Sequence, residues 1–68
     1  MKDENLESSK LKIYREQLLM SRAELARRAD ISLLTITRIE GGKKCRFSTM
    51  RKIIQALGLD ISEKGKIF

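Results

Sequence analysis

The sequence predicts an all-α fold, a compact bundle of four to five short helices. Three observations support this prediction. Apolar residues recur at the three- and four-residue spacing of helices, two serines stand where N-caps are expected, and glycines follow two of the apolar patterns as stops. At 68 residues the chain is one domain, near the lower limit for a stable core without disulfides or metals. We expect this domain to span residues 10–64, with a flexible N-terminal arm (1–9) and a C-terminal tail (65–68).

The stretch 21–42 predicts two short helices joined by a tight turn. Ser21 is a good N-cap, and Glu24 three residues later completes a capping box. Ser32 offers a second N-cap, and Ile36 and Ile39 form an apolar pair before two glycines end the pattern. Two helices this short, with so few residues between them, must cross steeply, as they do in a helix-turn-helix.

This stretch resembles the helix-turn-helix of the phage repressor and Cro-type (XRE-like) family of bacterial DNA-binding regulators. The likeness rests on Leu25-Ala26-x-x-Ala29-Asp30-Ile31-x-x-x-x-Ile36-x-x-Ile39 and on Ser32-x-x-Thr35-Ile36-Thr37-Arg38-Ile39-Glu40-x-Gly42. It extends over about residues 11–63 and implies a lambda-repressor-like DNA-binding domain. Two positions depart from the family: Asp30 replaces a preferred Gly, and Arg22 replaces the usual Gln. Since the chain reverses at Asp30, we expect a left-handed backbone there, which Asp tolerates.

The charge of the chain points to a polyanionic partner. The formal net charge is +6, and residues 11–58 alone carry eleven Lys or Arg against four acids. Many small domains are basic merely for solubility, so charge alone leaves the partner open. Together with a helix-turn-helix, the excess is the electrostatic footprint that such a motif needs to bind double-stranded DNA.

Other functional classes find no support in the sequence. Cys45 is the single cysteine and there is no histidine, so neither a disulfide framework nor a metal or other cofactor site is expected. No nucleophile stands with a base, and we expect no enzyme. No apolar run is long enough to span a membrane, and the N-terminal residues do not form a signal peptide. We therefore expect a soluble, cytoplasmic protein.

A first helix is expected over Lys10–Leu19. Leu11, Tyr14 and Leu18 repeat at helical spacing and should face the core. In the family that the chain resembles, an Arg at the position of Arg15 pairs with the Glu at the position of Glu40. The resemblance therefore implies a structural ion pair, Arg15–Glu40, between the first and third helices.

The third helix should carry the base contacts. Ile36 and Ile39 define its buried direction, so Leu34 points away from the core with Thr37 and Arg38 beside it. The resemblance implies that this face enters the major groove, with base contacts from Leu33, Leu34, Thr37 and Arg38. Arg38 is the best candidate for direct readout, because its planar fork can bond O6 and N7 of guanine.

The two leucines on this face have three interpretations. They contact thymine methyl groups, or they bind a protein partner, or Leu33 simply covers the core at the start of the helix. We favour the methyl contact for Leu34 and the core interpretation for Leu33.

Phosphate contacts are expected at the helix N-termini and in the loop after the third helix. A helix N-terminus offers free N–H groups and the positive end of the helix dipole to a phosphate. Cations directly after a groove-binding helix are well placed to meet the DNA backbone, although a merely solvated loop is the alternative. The expected set is Ser21, Arg22, Ser32, Thr35, Lys43, Lys44 and Arg46.

A fourth helix should begin with Ser48 as its cap and run to about Leu57. Its inward stripe is Met50, Ile53, Ile54 and Leu57, Phe47 should turn inward, and Gly58 should follow the helix end.

A final short helical turn is expected over 59–64, with a capping box formed by Asp60 and Glu63 and an interruption at Gly65. The apolar residues Ile61, Ile67 and Phe68 suggest a two-fold contact, since this region often forms a dimer interface in the related family. A tail folded over its own core is the alternative.

These expectations predict a sequence-specific transcriptional regulator, most simply a repressor. A homodimer would recognise a palindromic operator through two groove helices about 34 Å apart. The alternative is an antitoxin-like or adaptor protein, whose exposed leucines bind a protein partner such as a toxin or co-regulator.

Overall fold

The computed structural model describes residues 9–68, and within this range all regular secondary structure is helical. The predicted all-α bundle with a helix-turn-helix is confirmed. The elements are α1 (Lys10–Gln17), α2 (Arg22–Ala29), α3 (Leu33–Glu40), α4 (Phe47–Ala56) and a C-terminal 3-10 helix (Ile61–Lys66). None of the helices in this range is long and apolar enough to cross a membrane. The predicted N-terminal arm lies outside the described residues, except for Ser9, which is buried.

One hydrophobic core joins all the helices. α2 packs against both α3 and α4, while α1 packs against α3 and the 3-10 helix. Among residues 9–68, eleven apolar residues are buried, namely Leu11, Met20, Leu25, Ala26, Ala29, Ile36, Ile39, Ile53, Ile54, Leu57 and Ile67. Because α3 contributes only Ile36 and Ile39 to this core, its opposite face stays outside.

Serine hydroxyls start both helices of the helix-turn-helix, as predicted. The Ser21 Oγ accepts the backbone N–H of Glu24 at 3.0 Å, and the Ser32 Oγ accepts that of Thr35 at 3.1 Å. The predicted capping box at Ser21 is wrong in its second half. The Glu24 carboxylate turns outward and accepts a hydrogen bond from Arg28 Nη2 at 2.7 Å, one helical turn later.

The turn between α2 and α3 depends on a left-handed residue. Asp30 has φ 59° and ψ 46°, as expected from its position. The next residue, Ile31, donates its N–H to the Ala26 carbonyl at 3.0 Å and packs half-buried against the core. The change of direction between α2 and α3 therefore includes a left-handed residue at Asp30.

The first helix ends earlier than predicted. α1 stops at Gln17, and Leu18 is 46% exposed, so the prediction that Leu18 faces the core is wrong. Leu19 adopts a left-handed backbone with φ 56° and is 93% exposed. This reversal turns Met20 into the core, where it is 8% exposed. Met20 thus belongs to the core and Leu18 does not.

Replacing Leu19 by Asn should stabilise the protein. A left-handed backbone costs a residue such as Leu roughly 1–2 kcal/mol, whereas Asn tolerates it. Because the Leu19 side chain is 93% exposed, its loss removes little packing. We expect Leu19→Asn to raise the free energy of unfolding by about 0.5–1 kcal/mol in urea denaturation. Leu18→Asn is the control, since Leu18 has an ordinary φ of −90°; an equal gain there would contradict the explanation.

The fourth helix begins at Phe47, with Arg46 rather than Ser48 in the N-cap position. The prediction that Phe47 turns inward is also wrong, because its side chain is 82% exposed. The apolar residues of α4 become more exposed towards the N-terminus of this helix. Ile53 and Ile54 are buried, Met50 is half-buried, and Phe47 lies outside. The helical period places Phe47 on the apolar stripe of α4 but does not show where the core ends.

The C-terminal segment folds back over the core of its own chain. The predicted capping box is present: Asp60 N–H donates to Glu63 Oε1 at 2.8 Å, and Asp60 Oδ2 accepts from Ser62 N–H at 3.1 Å. The interruption expected at Gly65 is wrong, because the 3-10 helix includes it.

The apolar end of the chain completes this packing. Ile67 is 2% exposed in the core, Phe68 packs half-buried against it, and Ile61 is 44% exposed. Ile67 is therefore not free for the two-fold contact, and the alternative of a tail folded over its own core describes its position.

Candidate nucleic-acid interface

The two faces of α3 are sharply different. Ile36 is completely buried and Ile39 is 8% exposed, which orients the helix as its sequence pattern predicts. On the other face Leu34 is 57% exposed, and Thr37 and Arg38 are exposed as well. Leu33 is 48% exposed, so the interpretation that it covers the core is wrong. All four residues predicted to contact bases are accessible to a partner.

Thr37, on the exposed face of α3, uses part of its hydrogen-bonding capacity inside the helix. The Thr37 hydroxyl donates to the Leu33 carbonyl at 3.1 Å. Its methyl group and its remaining acceptor capacity are left for a partner. Thr37 is therefore suited to accept a hydrogen bond or to contact a thymine methyl group, rather than to donate.

The hydroxyls at the start of α3 take part in a helix cap. Ser32 Oγ accepts the Thr35 N–H and lies 2.8 Å from Thr35 Oγ1, and Thr35 is half-buried. Ser21 has the same capping role at the start of α2. Ser21, Ser32 and Thr35 are all predicted to contact phosphates. In the structure Ser21 and Ser32 cap helices, and the Thr35 hydroxyl is hydrogen-bonded to Ser32.

Four cations surround one concave surface beside α3. Arg38 at the end of α3 and Lys43, Lys44 and Arg46 in the following loop line an open concavity of about 430 Å³. Its other lining residues are Thr35, Ile39, Cys45 and Thr49, none of which carries a negative charge. Burial raises the pKa of the Cys45 thiol, which keeps it neutral in this basic surrounding. The concavity is therefore suited to a polyanion.

A buried ion pair ties α1 to the end of α3. Arg15 Nε donates to Glu40 Oε2 at 2.7 Å, and its Nη2 donates to Oε1 at 3.1 Å. Arg15 Nη1 also donates to the Met20 carbonyl at 2.7 Å. The side chains are only 7% and 2% exposed. The structure thus contains the pair that the resemblance implies, with the two-point geometry typical of strong Arg–carboxylate contacts.

The charge state of this pair follows from its contacts. Burial by itself would raise the pKa of Glu40, but hydrogen bonds from Arg15 and Arg22, with their Coulombic attraction, outweigh it and hold the pKa below the ordinary value of 4.5. The hydrogen bond to Glu40 raises the pKa of Arg15 above its ordinary value, although burial acts in the opposite direction. Both groups are therefore charged near neutral pH.

Arg22 has a contact that the sequence did not reveal. We predicted it to bind a phosphate, and its side chain is 43% exposed. Its Nε also donates to Glu40 Oε1 at 3.0 Å, so one carboxylate serves two arginines. The two residues are 18 positions apart. No local pattern signals such a contact, because it depends on how α2 and α3 pack.

The model of the helix-turn-helix family matches residues 11–64 of the chain. No curated protein and no solved structure matches it. The matched range includes every described element except the first residue of α1 and the end of the 3-10 helix. The exposed face of α3, its cationic border and this match lead to one conclusion: the chain belongs to the Cro/C1-type helix-turn-helix family of DNA-binding regulators.

Proposed function

We propose that this protein is a sequence-specific regulator of transcription that represses a promoter by occupying an operator. In this proposal α3 lies in the major groove of double-stranded DNA and two chains bind a palindromic site as a homodimer. Base contacts come from Leu33, Leu34, Thr37 and Arg38. The cations at the concavity hold the phosphate backbone beside them.

One observation carries the proposal: a helix held against the core on one side presents an exposed face next to a concavity lined by four cations. Ile36 and Ile39 hold α3 against the core, and Arg38 belongs both to the exposed face and to the cationic concavity. Major-groove recognition needs this combination, because phosphate contacts place the helix while side chains on its outer face read base edges.

The short length of α3 is the reason for proposing a dimer. The helix has eight residues and reaches only a few base pairs. Two such helices related by a two-fold axis reach major grooves about 34 Å apart on one side of the duplex. This geometry requires an inverted repeat, and a longer site supplies the specificity that a single short helix lacks.

Selection of bound sequences from random duplex DNA tests the proposal. The salt concentration must be stated, because the phosphate contribution falls steeply as salt rises. We expect the retained sequences to contain an inverted repeat with half-sites about 10 base pairs apart. Retention of duplexes without any common sequence would reject sequence-specific regulation.

Replacing Arg38 by Ala should relax specificity at one base pair. A bidentate Arg–guanine contact accounts for about 1–3 kcal/mol of discrimination, so binding to the preferred and the substituted site should become nearly equal at that position. Titration of both duplexes with the wild-type and variant chains measures this difference. Arg51→Ala is the control, since Arg51 is an exposed cation of α4 outside the concavity. Uniform weakening on all sequences would instead make Arg38 a phosphate contact.

A second candidate function is favoured by the exposed leucines. Leu33 and Leu34 are 48% and 57% exposed next to each other, and such a surface also suits a protein partner. In that case the chain is an antitoxin-like or adaptor protein. A partner retained by the wild-type chain but lost with Leu34→Ser would support this function, provided that the variant still binds DNA.

A further inference from the structure

The carboxylate of Glu40 is shared between a buried and a half-exposed arginine. Its Oε2 accepts from Arg15 Nε at 2.7 Å, while Oε1 accepts from Arg15 Nη2 at 3.1 Å and from Arg22 Nε at 3.0 Å. Glu40 and Arg15 are 2% and 7% exposed, but Arg22 is 43% exposed. Glu40 therefore connects the interior to a guanidinium that reaches the surface.

Two of the three guanidinium nitrogens of Arg22 are available to bind a ligand as far as residues 9–68 are concerned. Its Nε donates to Glu40, and within residues 9–68 its terminal nitrogens Nη1 and Nη2 have no hydrogen-bond acceptor. A guanidinium is planar, so holding it at Nε restricts the direction in which the two terminal nitrogens point. This outer edge is the fork that binds two oxygens of a phosphate.

The position of Arg22 relates this fork to the face of α3. Arg22 and Thr37 line one open cleft of about 560 Å³, together with Glu40 and Gly41. Lys12 and Glu16 of α1 line the same cleft, and their opposite charges offset each other. A phosphate bound by Arg22 would therefore lie next to the part of α3 that carries Thr37.

We propose that Glu40 is a positioning residue for DNA binding: it holds Arg22 at Nε so that Nη1 and Nη2 grip one backbone phosphate. This inference rests on the DNA-binding function proposed above. Because Glu40 is also bound to Arg15, the phosphate is held in a defined position relative to α1 and α3. A lysine cannot replace Arg22 here, since its one nitrogen cannot bind Glu40 and present a planar fork to the phosphate.

Charge-conserving and charge-removing variants of Arg22 test this role. The wild-type chain, Arg22→Lys and Arg22→Gln are titrated with the selected operator duplex over a series of salt concentrations. We expect both variants to bind about tenfold more weakly, as for the loss of a charged hydrogen bond. The slope of log K against log salt should fall by about 0.9 in Arg22→Gln, since one phosphate contact is lost. Thermal unfolding of each variant shows that folded chains are compared.

Arg27 supplies the matched controls. It is an exposed arginine of the same helix that lines neither the cleft nor the concavity. Arg27→Lys conserves the charge and Arg27→Gln removes it, as at Arg22, but at a residue with no hydrogen bond to Glu40 in the described part of the chain. We expect both to bind within about twofold of the wild-type chain, as for surface substitutions away from the contact.

An independent measurement follows the Arg22 Nε–H by nitrogen-15 NMR. We expect a slowly exchanging proton in the free chain and the same bond to persist when the duplex is added, while rotation of the terminal nitrogens slows. A merely structural ion pair would leave the terminal nitrogens unchanged.

Three results would overturn the inference. Arg22→Lys could bind within about twofold of the wild-type chain, which would make Arg22 a simple point charge. Arg22→Gln could bind as the wild-type chain does, which would remove Arg22 from the interface. The Nε–H bond could break when DNA binds. In all three cases the wild-type chain still binds DNA; failure of the wild-type chain to bind any duplex would overturn the proposed function as well.

Discussion

Replacing Glu40 by Ala is expected to lower the free energy of unfolding by about 3–5 kcal/mol. The loss arises because Arg15 is left charged and buried, with a side chain only 7% exposed. Arg22 loses a partner too, but at 43% exposure water can solvate it. A chain of 68 residues has a total stability of roughly 3–10 kcal/mol at 0.05–0.15 kcal/mol per residue. Glu40→Ala should therefore lose a large part of its total stability.

Urea denaturation followed by circular dichroism measures this effect, and Glu24→Ala is the control. Glu24 forms an ion pair with Arg28 whose side chains are 33% and 53% exposed. Such i,i+4 pairs contribute only about 0.3–0.5 kcal/mol. The double variant Arg15→Met/Glu40→Leu should recover much of the stability, because neither charge is then stranded. Equal losses for Glu24→Ala and Glu40→Ala would contradict the explanation.

The same ion pair makes stability depend on pH. The folded-state pKa of Glu40 lies below 4.5, so its contribution is fully present above that value and is lost as the pH falls through the folded-state pKa. The contribution of Glu40 to the unfolding midpoint should therefore be constant above about pH 5 and decrease in more acidic solution. The double variant lacks Glu40, so its unfolding midpoint should decrease less in acidic solution than that of the wild-type chain.

Replacing Ile36 by Ala is expected to cost about 2–5 kcal/mol, the usual range for such a truncation in a packed core. Ile36 is 0% exposed at the centre of α3, where the core surrounds it. The truncation leaves a cavity and loosens the helix that we propose lies in the major groove. We therefore expect a lower unfolding midpoint and, where the variant is still folded, weaker binding to the operator.

Leu34→Ala is the matched control on the same helix. Leu34 is 57% exposed, so its truncation should change stability by no more than about 0.5 kcal/mol. If Leu34 contacts a thymine methyl group, this variant loses DNA affinity without losing stability. A large loss of stability in Leu34→Ala, or none in Ile36→Ala, would show that the two faces of α3 are assigned the wrong way round.

The helix-turn-helix could be predicted from the sequence because its signals act over three or four residues. Ser21 and Ser32 cap helices by binding N–H groups three positions later. Asp30 reverses the chain through its own backbone angles. The 3.6-residue period places Ile36 and Ile39 on one face of α3 whatever lies beneath them. The outer face of α3, and with it the candidate site, follows from the same period.

The C-terminal end of α1 and the orientation of Phe47 could not be predicted in this way. The apolar pattern continues through Leu18, but a left-handed Leu19 ends the helix and Met20 enters the core instead. No Gly or Asn marks that reversal in the sequence. Phe47 follows the period of α4, yet it lies beyond the edge of the core. Periodicity predicts the side of the helix on which a residue lies. It does not predict how far along the helix the packing surface extends.

The sequence by itself determined the two helices of the helix-turn-helix, their serine caps, the reversal at Asp30 and the direction in which α3 presents Leu34 and Arg38. Each of these depends on residues within about one helical turn of one another. Only the tertiary structure decided that Glu40 also holds Arg22, 18 positions away, and that Ile67 covers its own core. Such contacts form when separate helices pack together, and the spacing of residues along the chain carries no record of them.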